Sequence, residues 1–166
     1  MTNFKQLDIP HTTPRRYITG IYALNVPDDE EVADWHTGIF WRPVGIDGRQ
    51  TEVTLGGEGS KHNTNPIYRQ YGVRDAKDQL IRIGLSLPED AKKVYVADHA
   101  RAILDMLFFQ LKESGEAAQL TNAAEWLRKP RAKDLLAKAA LLDAFLNDSQ
   151  KEGLARWIDH ERESIV

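Results

Sequence analysis

The chain contains no cysteine. That absence excludes disulfides, cysteine-ligated zinc and thiol catalysis together. Its apolar runs fall well short of the roughly 20 residues a helix needs to span a bilayer. No membrane-spanning helix is therefore expected. Residues 2–16 are polar and contain proline, so no secretory signal is read there and a reducing, cytoplasmic setting is expected. No sign of charge dominates either: 22 Lys and Arg face 25 Asp and Glu, a net charge of -3. A surface wholly given to nucleic acid would be strongly basic, so only a local basic patch stays open.

Motifs of established chemistry are also missing. The five histidines (His11, His36, His62, His99, His160) show no HxH, HxxxH or HExxH spacing, and a metal site needs three or more protein ligands brought together. Gly56-Gly57-x-Gly59 is not followed by a helix opening on Lys and Ser or Thr, so it is not a phosphate loop. Neither a GxSxG elbow nor a dinucleotide-binding glycine pattern occurs. No catalytic residue, metal or cofactor is assigned on this basis.

What is present is the make-up of a folded protein: 42% apolar and 28% charged residues over 166 positions. One α+β domain spanning 1–166 is expected, a small, mainly antiparallel sheet packed against a four-helix layer. Its β-rich half would cover 15–87 and its helical half 90–164, because composition shifts near Pro88 from Gly, Pro, Thr and aromatics to Ala, Leu, Lys and Glu. Tyr17 to Val26 reads as a strand interrupted by Gly20. Thr37 to Val44 and Gln50 to Leu55 flank Asp47-Gly48, a hairpin signal. Gly56 to Pro66 reads as a mobile loop. Ile67 to Val73 and Leu80 to Leu85 read as further strands.

Val94 to Lys112 carries the strongest helical pattern. Val96, Ala100, Ile103, Leu104, Leu107, Phe108 and Leu111 share one arc, and Ser114-Gly115 ends it. Leu120 to Leu127 predicts a shorter helix stopped by Pro130, and Leu135 to Leu146 a third. Ser149-x-x-Glu152 predicts a capping box opening a fourth, with Leu154, Trp157 and Ile158 inward.

Two places set ionisable groups among apolar ones. Asp34-Trp35-His36 puts an acid and an imidazole two residues apart beside a tryptophan. On the main helix, Asp98, Arg101 and Asp105 form a ladder at i, i+3 and i+7, flanked by His99, in which Arg101 can pair with either carboxylate. Phe109 falls on the same polar face and needs cover. The expectation is a polar network between the halves, with Asp34-Trp35-His36 meeting Asp98 and Arg101, since buried charges need partners. Arg128, Lys129, Arg131 and Lys133 form the one concentrated basic run, read as a helix C-terminus with a possible phosphate contact.

Three blocks are similar to a family of small bacterial proteins: Tyr17-Ile-Thr-Gly-Ile-Tyr-Ala-Leu-Asn-Val-Pro27, Asp34-Trp-His36 and Tyr95-Val-Ala-Asp-His-Ala-Arg-Ala-Ile-Leu-Asp105. That family is antitoxin-like, encoded beside nucleotidyltransferase-type toxins of the abortive-infection class. The resemblance implies a toxin as protein partner, masked without turnover, and no cofactor. Two alternatives stand beside it. One is a small enzyme with a site at Asp34, His36, Asp98 and His99. The other is a nucleic-acid-binding regulator using the basic elbow 128–133. The sequence leaves the oligomeric state open.

Overall fold

Among the described residues the strands are three residues long, and their order in the sheet is not that of the chain. In the computed structural model, which describes residues 8–28, 41–44, 47–49 and 51–165, the sheet runs β2-β1-β4-β3. Its strands are β1 (Arg16–Ile18), β2 (Leu55–Gly57), β3 (Val73–Asp75) and β4 (Tyr95–Ala97). β1 pairs antiparallel with β2, placing Ile18 opposite Leu55. β3 pairs antiparallel with β4, placing Arg74 opposite Val96. The central β1–β4 pair is parallel and meets at Ile18 and Val96. The sheet is thus mixed, mainly antiparallel, and packs against a C-terminal helical bundle, the α+β arrangement expected.

Among the described residues the helices are α1 (Gly20–Leu24), α2 (Asn65–Tyr68), α3 (Lys77–Arg82), α4 (His99–Ser114), α5 (Lys129–Ala139) and α6 (Asp148–Ser164). Short 3₁₀ turns cover Ala118–Leu120, Ala123–Trp126 and Ala140–Phe145. α4 is the axis of the structure. It opens where β4 ends, because the Asp98 carboxylate accepts a 2.8 Å bond from the Arg101 N–H and so caps the first turn. It closes at Gly115 in the left-handed region (φ 75°), whose N–H returns to the Leu111 carbonyl. Ile103, Leu104, Leu107 and Leu111 are wholly buried. So are Arg101 and Asp105 on the other side of the same turns. Residues 99–105 of α4 are all buried, and α1, β4, α5 and α6 pack against the helix.

Several elements differ from the sequence reading. Tyr17 to Val26 is not one strand. Gly20 takes φ 66°, turns the chain after Thr19 and starts α1. Leu80 to Leu85 is not a strand either, since Lys77–Arg82 forms α3. Ile67 to Val73 divides between α2 and β3. Tyr95–Ala97, read as the start of the main helix, is a strand at the centre of the sheet. The boundary between the β-rich and helical parts is therefore Asp98 rather than Pro88. Runs of four to six apolar residues satisfy period 2 and period 3.6 equally well, which is the reason for each of these differences. Much of the proposed hairpin around Asp47-Gly48 lies outside the described residues, as does the whole Asp34-Trp35-His36 block.

The bundle differs in detail too. Leu120 to Leu127 forms two 3₁₀ turns, with Asn122 between them at φ 66°. Pro130 does not stop a helix. It sits in the first turn of α5, where its missing N–H costs nothing. The last helix opens through an Asn147–Gln150 capping box rather than Ser149–Glu152. Trp157 donates its indole N–H to the Leu120 carbonyl at 3.0 Å, tying α6 to the first 3₁₀ turn. Among the described residues, no helix is long and apolar enough to cross a membrane.

Candidate functional site

The ladder read on the main helix is the centre of a buried hydrogen-bonded knot. Arg101 Nε lies 3.2 Å from Asp105 Oδ1, one turn along α4, and both side chains have no exposure. The guanidinium also donates to Thr64 Oγ1 at 3.1 Å, to the Arg69 carbonyl at 2.9 Å, to Asn65 Oδ1 at 2.9 Å and to the Tyr71 carbonyl. Asp105 Oδ2 accepts from Tyr17 at 2.8 Å and from Thr19 at 2.7 Å, while Oδ1 accepts from Thr64. Burial pushes the Asp105 carboxyl above the ordinary aspartate range, against the pull of Arg101 and of the three hydroxyls. Burial, with Asp105 adjacent, likewise raises the Tyr17 phenol. These bonds join β1, the segment 64–71 and α4. They close the structure, and every side-chain polar atom of Arg101 and Asp105 is engaged in doing so.

Asp98 belongs to a second cluster, on the rim of the first. Arg131 reaches across from α5, its Nη1 3.1 Å from Asp28 and its Nη2 3.2 Å from Asp98. His99 is buried and its Nε2–H donates to the Val26 carbonyl at 2.9 Å. Burial lowers the His99 pKa, with Val26 and Asp28 opposing that shift. Burial raises the Asp98 carboxyl, opposed by the Arg101 N–H and Arg131. Arg131 therefore acts as a clasp that pins the start of α5 to the start of α4. Among the described residues, no three His, Asp or Glu side chains gather in a way that could hold a metal ion.

The ladder thus meets the N-terminal half, through Thr64, Asn65 and Tyr17. Whether Asp34, Trp35 and His36 join it lies outside the described residues. The sequence reading missed Thr19, Thr64 and Asn65. Thr64 comes from the stretch read as a mobile loop, and no spacing links it to position 105. The same stretch covers Phe109, on which the His62 ring stacks at 4.4 Å. Trp41, edge-on to Tyr22, and Trp157 are core residues.

The basic run divides. It lies at the N-terminus of α5, not at a helix C-terminus, because Pro130 starts that helix. Arg131 turns inward to the clasp, while Lys129 and Lys133 border a surface groove of about 510 Å³ between α5 and α6. The groove has an apolar floor of Leu136, Ala137, Ala140, Ile158 and Ile165, and Arg162 supplies a third cation at its edge.

No family model, curated protein or solved structure matches this chain. The functional reading therefore rests on its own residues.

Proposed function

We propose that this protein is a binding protein of the antitoxin or immunity kind, which masks a partner toxin stoichiometrically and without turnover. The observation that supports it best is the α5–α6 groove, whose apolar floor and cationic border suit a protein surface. The two ionisable clusters support it as well. Their side chains are spent on bonds that join one part of the chain to another. The antitoxin kind, as distinct from protein binding in general, is what the resemblance of three sequence blocks implies. On this reading the protein acts in the bacterial cytoplasm.

The test is to mix the purified protein with the product of the neighbouring gene and with duplex DNA, at two salt concentrations. A one-to-one protein complex that silences the toxin is the expected result. DNA binding with a steep salt slope and no protein partner would favour the nucleic-acid alternative. Metal-dependent hydrolysis of a small substrate, abolished by His36→Ala, would overturn the reading in favour of an enzyme.

A further inference from the structure

We infer that the α5–α6 groove receives an amphipathic helix whose flanks are acidic, presented by a partner protein. The inference rests on the protein-binding reading above and gives its partner a chemistry. Three observations carry it.

The first is shape. The groove runs between two packed helices. A furrow of that kind offers ridges of side chains and no unpaired strand edge. It is therefore complementary to a third helix, which docks through apolar residues at i, i+3 or i+4, and i+7. A volume of about 510 Å³ suits a few large apolar anchors.

The second is the apolar floor. Ile158 and Ile165 are only partly buried, and Ala137 and Ala140 are exposed. Just past the end of α5, Leu141 is 55% exposed. An uncovered apolar strip rimmed by charge is characteristic of an interaction surface.

The third is charge. Lys129, Lys133 and Arg162 border the groove, and among the described residues no carboxylate side chain lines it. The chain as a whole is negative, at -3. The groove is therefore a local cationic exception on an acidic protein, and it selects carboxylates over ammonium groups on its occupant. Arg162 has an exposed carboxylate neighbour, Asp159, at 3.7 Å. Lys129 and Lys133 are exposed and, among the described residues, form no ion pair. Those two lysines are the cations an incoming acidic helix would meet first.

The test uses the full chain and a fluorescent helical peptide of about five turns, with Leu at i, i+3, i+4 and i+7 and Glu along the flanks. Its counterpart carries Lys on the flanks. Anisotropy should show saturable binding of the Glu peptide and none of the Lys peptide. Reversing both rim charges, Lys129→Glu with Lys133→Glu, should weaken binding about tenfold or more. Ile158→Asp should abolish it, and Lys92→Glu, away from the groove, should leave it unchanged. Circular-dichroism melts check that each variant folds. The rim variants alter exposed residues, so they remain informative should Ile158→Asp unfold the chain.

Equal binding of the two peptides would overturn the inference, as would Glu-peptide binding that survives both sets of variants, or no binding at all. Sedimentation that shows a dimer dissociated by Ile158→Asp would instead assign the groove to a second copy of this chain. The peptide assay needs no toxin. Its failure leaves the antitoxin reading to the complex-formation test, and a toxin complex indifferent to the groove variants overturns only this inference.

Discussion

Arg101→Met asks the most direct question of this fold. Methionine fills much of the volume of the arginine stem but offers no donor. The substitution removes the guanidinium from Asp105, Thr64, Asn65 and the carbonyls of Arg69 and Tyr71. Asp105 then stands fully buried with three hydroxyl donors and without its cation. Breaking one side of a buried ion pair costs about 3–5 kcal/mol. The two stranded carbonyls push toward the upper end, since each unpaired buried polar group costs about 1–3 kcal/mol. Set against a typical domain stability of about 5–15 kcal/mol, that is a large fraction. Urea denaturation should show a lower midpoint with an unchanged slope. Asp105→Asn, which keeps the shape and strands the arginine instead, should cost a similar amount. The double change Arg101→Met with Asp105→Leu should cost clearly less than the sum of two single changes, because neither charge is left behind. Recovery should be incomplete, since the hydroxyls of Tyr17, Thr19 and Thr64 lose their acceptor. A loss below about 1 kcal/mol for Arg101→Met, or strict additivity in the double variant, would refute the knot as the element that joins the halves.

Three further outcomes are expected. Leu104→Ala, which empties a wholly buried site on α4, should cost about 2–5 kcal/mol in the same denaturation assay. Gly153→Ala should destabilise, although alanine is the better helix former, because its Cβ would stand 1.9 Å from the Gly115 carbonyl oxygen where α6 crosses the end of α4; a raised melting temperature would show that this crossing is loose. Stability should also fall as pH drops below about 6.5, because burial holds the His99 pKa under the unfolded value. A depressed folded pKa gives stability that is present above the unfolded pKa and lost as pH falls through the folded one. His62 titrates in the same direction, so the informative comparison is with His99→Asn. That variant should lose less melting temperature between about pH 7 and 5 than the wild type, and equal losses would contradict the assignment.

Much of the helical part was legible because helices are local. The arc that includes Leu104, Leu107 and Leu111 needs only a spacing along the chain, and Ser114-Gly115 marks its end within one turn. The ladder Asp98, Arg101 and Asp105 was visible for the same reason, as ionisable groups on an otherwise apolar helix. A network between the halves was expected of them, but which atoms satisfy them was not visible. Thr64 and Tyr17 reach Asp105 across 41 and 88 residues of sequence. The strands were misread because a three-residue strand is defined by its partner, not by its own pattern. Ile18 becomes a central strand residue only when Leu55 and Val96 flank it. Whether the basic run was an elbow or a surface also waited on packing. Pro130 is compatible with ending one helix and with starting the next, and only the approach of Asp28 and Asp98 drew Arg131 inward and left Lys129 and Lys133 at the groove. The sequence alone determined which apolar residues of the main helix must be buried and that the helical part follows the sheet. The tertiary structure decided the pairings, because hydrogen bonds between distant segments form only after the chain has brought those segments together.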